Sequence, residues 1–131
     1  FMLTYGDGLS NVDLLKLEKF HKKNKKIATV TAVRPPARFG ELTIRKNVVT
    51  KFLEKPQVSE GWINGGFFVF NEKIFNFIKN DKTILEKEPL EKLAKKKNLV
   101  AFKHYNFWRC MDTKRDKDFL ENLSKNKRNT W

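Results

Sequence analysis

The chain has 131 residues, 40% of them hydrophobic, which suffices for one domain, or part of one, with a buried core. No apolar run is long enough to cross a bilayer, no stretch reads as a signal peptide, and a single cysteine, Cys110, excludes an intrachain disulfide. A formal charge of +13 invites a nucleic-acid reading, but the surplus is mostly lysine on helix faces and in the tail, and arginine is the better base reader. The expectation is therefore a protein of a reducing cytoplasm that engages neither nucleic acid nor membrane and whose basic field suits a phosphate-rich small substrate.

Along the chain the elements alternate between strand and helix, which predicts an α/β architecture. Phe1-Met-Leu-Thr-Tyr5 reads as a buried strand from its first residue, as in a fragment lacking upstream partner strands, and ends in the turn Gly6-Asp-Gly8. Ser10 or Asn11 is the expected cap of a helix to about Asn24, with Val12, Leu15 and Leu17 on or near one face and Phe20 following. Lys26 to Val33 is strand-like, and Pro35-Pro36 enforces an extended connection. Residues 41–45 and 48–53 flank Lys46-Asn47 as a hairpin, since asparagine tolerates the left-handed turn conformation.

Beyond a polar loop at 55–61, Trp62 to Phe70 is the segment most like a strand, although Gly65-Gly66 lies inside it. Helices are expected near 71–79 and over 83–97, the second with Leu90, Leu93 and Ala94 as its apolar stripe. Leu99 to His104 reads as a strand, 113–125 as a helix and 124–131 as a frayed tail.

Four segments carry candidate chemistry. Gly6-Asp7-Gly8 puts a carboxylate at the carboxyl end of a strand, where ligands bind in open α/β sheets; a plain turn accounts for it equally well. Asp112 in Met111-Asp-Thr113 precedes a helix and on its own reads as an ordinary cap. Taken with Asp7 it gives two carboxylates able to share one Mg²⁺, which favours one or two carboxylates plus water and phosphate oxygens. Glu54-Lys-Pro56 closes a strand with a hydroxyl-binding carboxylate and a phosphate-pairing ammonium, or with a solvated ion pair of little consequence. Trp62-Ile-Asn-Gly-Gly-Phe-Phe68 places glycines inside a strong strand, which implies either close approach of a ligand near Asn64 or a β-bulge.

Arg34-Pro-Pro-Ala-Arg-Phe-Gly40 is a stiff loop that borders an anion or merely connects. His21 and His104 show no Ser, Cys or metal-ligand partner in the sequence, and Cys110 reads as buried and inert.

In this order the segments resemble those of the sugar-1-phosphate nucleotidyltransferases, and most closely the glucose-1-phosphate cytidylyltransferase branch. The resemblance runs from Met2 to about Leu123, with Arg34–Gly40, Trp62–Phe68 and Phe107–Asp116 pointing to that branch. It implies a Rossmann-like mixed sheet flanked by helices, with residues 1–131 the C-terminal part of one nucleotidyltransferase domain. It also implies transfer of a nucleotidyl group from CTP to α-D-glucose 1-phosphate, giving CDP-glucose and pyrophosphate, in a homo-oligomer. By the same resemblance Asp7 and Asp112 hold Mg²⁺ and Lys55 meets the sugar phosphate. Glu54 would meet glucose hydroxyls, Asn64 and Gly65 the sugar pocket, and Gly6 and Gly40 the nucleotide or sugar.

The Gly-rich phosphate-cradling loop of that family is not among these residues, so the fragment alone is expected to be inactive and to leave a sheet face or edge exposed. The alternatives are a non-catalytic sugar-phosphate-binding or regulatory module and, further off, a small basic nucleic-acid-binding domain.

Overall fold

The computed structural model describes residues 1–35, 41–53, 61–126 and 131; the expected site residues Gly40, Glu54 and Lys55 lie outside them. Its centre is a four-stranded sheet built from β1 (Met2–Thr4), β3 (Ala28–Val33), β6 (Ile63–Phe70) and β7 (Leu99–Lys103) in the order β1-β6-β3-β7. β6 runs antiparallel to β1 and β3, whereas β3 and β7 are parallel. The expected mixed α/β sheet flanked by helices is therefore what forms.

Alternation along the strands sorts side chains to the two faces. Ala28, Phe68 and Phe70 form one core with Ile74, Leu90 and Leu93, against which Leu3, Val30 and Leu99 also pack. That face is covered by the 3₁₀ turn Glu72–Phe77 and by α2 (Glu88–Lys95). On the other face lies α1 (Leu14–Asn24), with Leu17 buried, Phe20 edge-on to Phe102 at 5.4 Å and His21 Nδ1 2.9 Å from Thr29 Oγ1. His21, expected on a basic surface, is thus half-tucked against the sheet, and burial lowers its pKa.

Several boundaries differ from expectation for local reasons. α1 is capped by Asp13, whose carboxylate accepts the Lys16 N–H at 2.9 Å, because the Ser10 hydroxyl is already engaged by Phe107 O and Val12 N. Leu15 faces solvent at 69% exposure, so the helix turns Leu17 and Phe20 inward, with Val12 buried just ahead of its cap. The helix expected near 71–79 is the shorter 3₁₀ turn, capped by Asn71. The helix expected over 83–97 begins at Glu88, because the Thr83 hydroxyl accepts from the Lys79 and Asn80 amides and holds a turn upstream. Ala94 is exposed, leaving Leu90 and Leu93 as the inward residues. β1 is half-exposed rather than buried, with Phe1 and Met2 open to solvent and β6 its one neighbour among the described residues.

β4 (Glu41–Arg45) and β5 (Val48–Leu53) form the expected hairpin, with Lys46 and Asn47 both in the left-handed region at φ 46° and 71°. Leu42, Ile44, Val48, Val49 and Phe52 on it are exposed. α3 (Lys114–Lys125) extends into the segment expected to fray, and Trp131 stacks on Phe107 with ring centres 5.5 Å apart. Among the described residues no helix is long and apolar enough to cross a membrane.

Candidate active site

The chain leaves the main sheet at Tyr5, whose N–H still bonds Gly66 O at 2.9 Å, and bends through Gly6-Asp7. It then forms β2 (Gly8–Ser10), a strand the sequence did not reveal. β2 pairs antiparallel with β8 (Trp108–Cys110), equally unforeseen, in the register Gly8↔Cys110, Leu9↔Arg109, Ser10↔Trp108. One residue further out, the Met111 N–H donates to Asp7 O at 2.9 Å. Asp112 follows directly, so the two aspartates, more than a hundred residues apart in sequence, emerge from the same end of one ribbon.

This ribbon is fastened above the bulge in β6. The Trp108 indole N–H donates to Gly65 O at 2.8 Å, and a Cβ on Gly8 would stand 3.7 Å from that same oxygen. Asp7, Gly6, Asp112, Asn64 and Gly65 are thereby gathered where β1 and β3 end, the place where open sheets bind ligands.

The two aspartates meet different surroundings. Among the described residues the Asp7 carboxylate makes no hydrogen bond or ion pair. Asp112 Oδ2 accepts from the Cys110 thiol at 3.1 Å. It is not the helix cap: Thr113 caps α3, its hydroxyl accepting the Asp116 N–H while Asp116 reaches back to the Thr113 N–H. The capping box releases Asp112 from the bland role that its position allowed. Burial, then the Asp112 carboxylate, push the thiol of Cys110 up to about 11; the residue is half-buried rather than buried.

Arg109 clamps the box from behind. Its Nη2 and Nε lie 2.8 and 3.1 Å from Asp116 Oδ1, and its guanidinium sits 4.8 Å from the Phe119 ring centre. Asp116 is held below the usual carboxylate range, first by the Thr113 hydroxyl and then by Arg109.

Gly65 and Gly66 have a structural explanation. The partner register jumps from Val30↔Phe68 to Ala32↔Asn64, so β6 carries the bulge that competed with the ligand reading. A Cβ on Gly65 would come within 2.8 Å of Val33 Cγ1 and 2.9 Å of Thr31 O; Gly66, at φ 76°, would strike Tyr5 at 2.9 Å. Asn64 uses both ends of its amide internally, donating to the Tyr5 hydroxyl at 3.1 Å and accepting from the Gly66 N–H at 2.9 Å. Tyr5 in turn donates to Glu86, and burial followed by that bond pushes its phenol up to about 12. At the same end of the sheet, Trp62 carries Arg34 and Lys103 on its ring at 4.7 and 5.4 Å and meets Tyr105 edge-on.

Among the described residues no group of three or more His, Cys, Asp or Glu side chains converges as a metal cage. Two carboxylates on one ribbon end, one of them without a side-chain partner among the described residues, fit a hard cation such as Mg²⁺ that fills most of its shell with water and phosphate oxygens. The sequence supplied the aspartates but not the ribbon that joins them, because three-residue strands have too little alternation to register.

Known proteins share this fold and this sequence. The nucleotidyl transferase family model covers residues 1–127, and the chain belongs to that family. Among its relatives, a glucose-1-phosphate cytidylyltransferase of Salmonella typhimurium is 47% identical over all 131 residues, which cover 51% of that protein. A mannose-1-phosphate guanyltransferase of Yarrowia lipolytica is 31% identical over 125 residues, covering 92% of this chain and 34% of its own. The crystal structure of HddC from Yersinia pseudotuberculosis shares the fold with a TM-score of 0.63 at 21% identity, over 95% of this chain and 54% of that one. The chain spans about half the length of the glucose-1-phosphate cytidylyltransferases it matches.

Proposed function

We propose that these residues are the C-terminal part of an enzyme that transfers a cytidylyl group from CTP to α-D-glucose 1-phosphate, releasing CDP-glucose and pyrophosphate. The observation that carries this reading is the β2–β8 pairing, which joins Asp7 to the Met111–Asp112 segment in a chain 47% identical to a glucose-1-phosphate cytidylyltransferase.

The reaction asks little of a protein in the way of general bases. A sugar phosphate with a second pKa of about 6 is mostly ionised at neutral pH and is itself the nucleophile. Its oxygen forms a bond to the α-phosphorus of CTP as the bond from that phosphorus to the bridging oxygen breaks, and pyrophosphate leaves with the electron pair. Alignment of the reacting groups and neutralisation of charge are what remain for the enzyme to supply.

Asp7 and Asp112 would hold Mg²⁺, which when bound neutralises phosphate charge. In this reading Lys55 pairs with the sugar phosphate and Glu54 with glucose hydroxyls. Asn64 and Gly65 line the sugar pocket, with Gly6 and Gly40 against nucleotide or sugar. Because Asn64 is already bonded to Tyr5 and Gly66, its part is to hold the pocket wall and offer its exposed edge.

The test is pyrophosphate release by the whole protein across CTP, UTP, GTP, ATP and dTTP with glucose, mannose and galactose 1-phosphates. The reading expects CTP with glucose 1-phosphate to dominate; preference for another base or sugar phosphate would replace it.

A further inference from the structure

The ribbon that carries both aspartates is only three residue pairs long, too short to hold its own register in water. Trp108 ties one side of it to β6. A second tie runs through His104, a 93%-buried residue (7% exposed) just beyond β7. The His104 backbone is fixed by donation of its N–H to Ala32 O at 2.9 Å.

His104 Nε2 lies 3.1 Å from Phe107 O and 3.2 Å from Ser10 Oγ. A carbonyl only accepts, so the contact with Phe107 O is a hydrogen bond in the tautomer that carries its hydrogen on Nε2. The Ser10 hydroxyl donates to the same Phe107 carbonyl at 2.9 Å and accepts the Val12 N–H at 3.2 Å, and the Asn11 N–H reaches Phe107 O at 3.3 Å. One carbonyl next to β8 thus gathers donors from β2, from the residue after it and from the end of β7.

We propose that His104 is a positioning residue for the Asp7–Asp112 pair: with Ser10 it bolts the β2/β8 ribbon to the main sheet, fixing the register that brings the two carboxylates together before any ligand arrives. The proposal rests on the Mg²⁺ reading of those aspartates. Groups that orient metal ligands are worth about 10- to 100-fold in metal affinity elsewhere, although they never touch the ion.

The test uses the whole protein and Mn²⁺ alone, its binding read from the electron paramagnetic resonance of the free ion, so that turnover is not required. His104→Ala should weaken Mn²⁺ binding about tenfold, while His104→Gln, whose amide N–H reaches toward the same carbonyl, should stay within about threefold of native. Turnover should show a matching rise in the Mg²⁺ concentration needed, with KM for glucose 1-phosphate unchanged. Ser10→Ala, a smaller change, should weaken Mn²⁺ binding in the same sense and serves if His104→Ala does not fold.

Mn²⁺ binding unchanged in folded His104→Ala or Ser10→Ala, with Asp7→Asn still abolishing it, would overturn the positioning role alone. Binding already indifferent to Asp7→Asn and Asp112→Asn would overturn the metal reading and this proposal together.

Discussion

The indole N–H of Trp108 donates to the main-chain carbonyl of Gly65 at 2.8 Å, joining the carboxylate-bearing ribbon to the bulge in β6. Neither residue announces this in the sequence, yet the bond sets the height of the ribbon over the sheet. Trp108→Phe keeps the ring and removes the donor, leaving a half-buried carbonyl without its partner. The expected cost is about 1–3 kcal/mol in urea unfolding, with activity of the whole protein falling further than stability alone explains.

Gly65→Ala should destabilise more than most single methyl additions. The added carbon would overlap both Val33 and the Thr31 carbonyl, and backbone cannot move aside as a flexible side chain would. Overpacking of this kind costs about 1–3 kcal/mol. Unfolding midpoints of the alanine variant within experimental error of native would show that β3 and β6 yield more easily than their spacing implies.

The capping box of α3 makes a pH-dependent contribution. Asp116 has a folded pKa below the usual 3.8, because the Thr113 hydroxyl and then Arg109 favour its charged form. Its stabilisation is therefore present above the unfolded value and is lost as pH falls through the folded one. Asp116→Asn should cost about 1 kcal/mol at neutral pH, a typical figure for a lost cap. The difference from native should shrink steadily in urea titrations carried to strongly acid pH.

Cys110 should alkylate slowly. With its thiol pushed up to about 11 by burial and then by Asp112, almost none is thiolate at neutral pH. Asp112→Asn removes the smaller cause and leaves burial, so the iodoacetamide rate should rise while staying below that of an exposed thiol.

The long features of the fold were legible from residue pattern. β3, β6, β7 and α3 carry enough periodicity, and the Lys46-Asn47 turn enough φ preference, to be read within a few residues. What escaped was set by tertiary contact. Ser10 looked like a helix cap until Phe107 took its hydroxyl, and Asp13 became the cap instead. His104 had no visible Ser partner because Ser10 reaches it only through the folding of β2 onto β8. Asp112 read as a cap because aspartate and threonine are both ordinary cap residues, although the Thr113-x-x-Asp116 spacing already carries the signature of a box that excludes it. Glycines 65 and 66 were legible as an anomaly, and their cause, a bulge packed against β3 and Tyr5, required the neighbouring strands.

The most direct test of the account is pyrophosphate release from CTP and glucose 1-phosphate by the whole protein, native against Asp7→Asn. The account predicts release that requires both substrates and Mg²⁺, falling at least about a hundredfold in the variant while its circular dichroism stays native, the scale expected when charge stabilisation at a transferring phosphoryl group is lost. Native-level release from Asp7→Asn would contradict it.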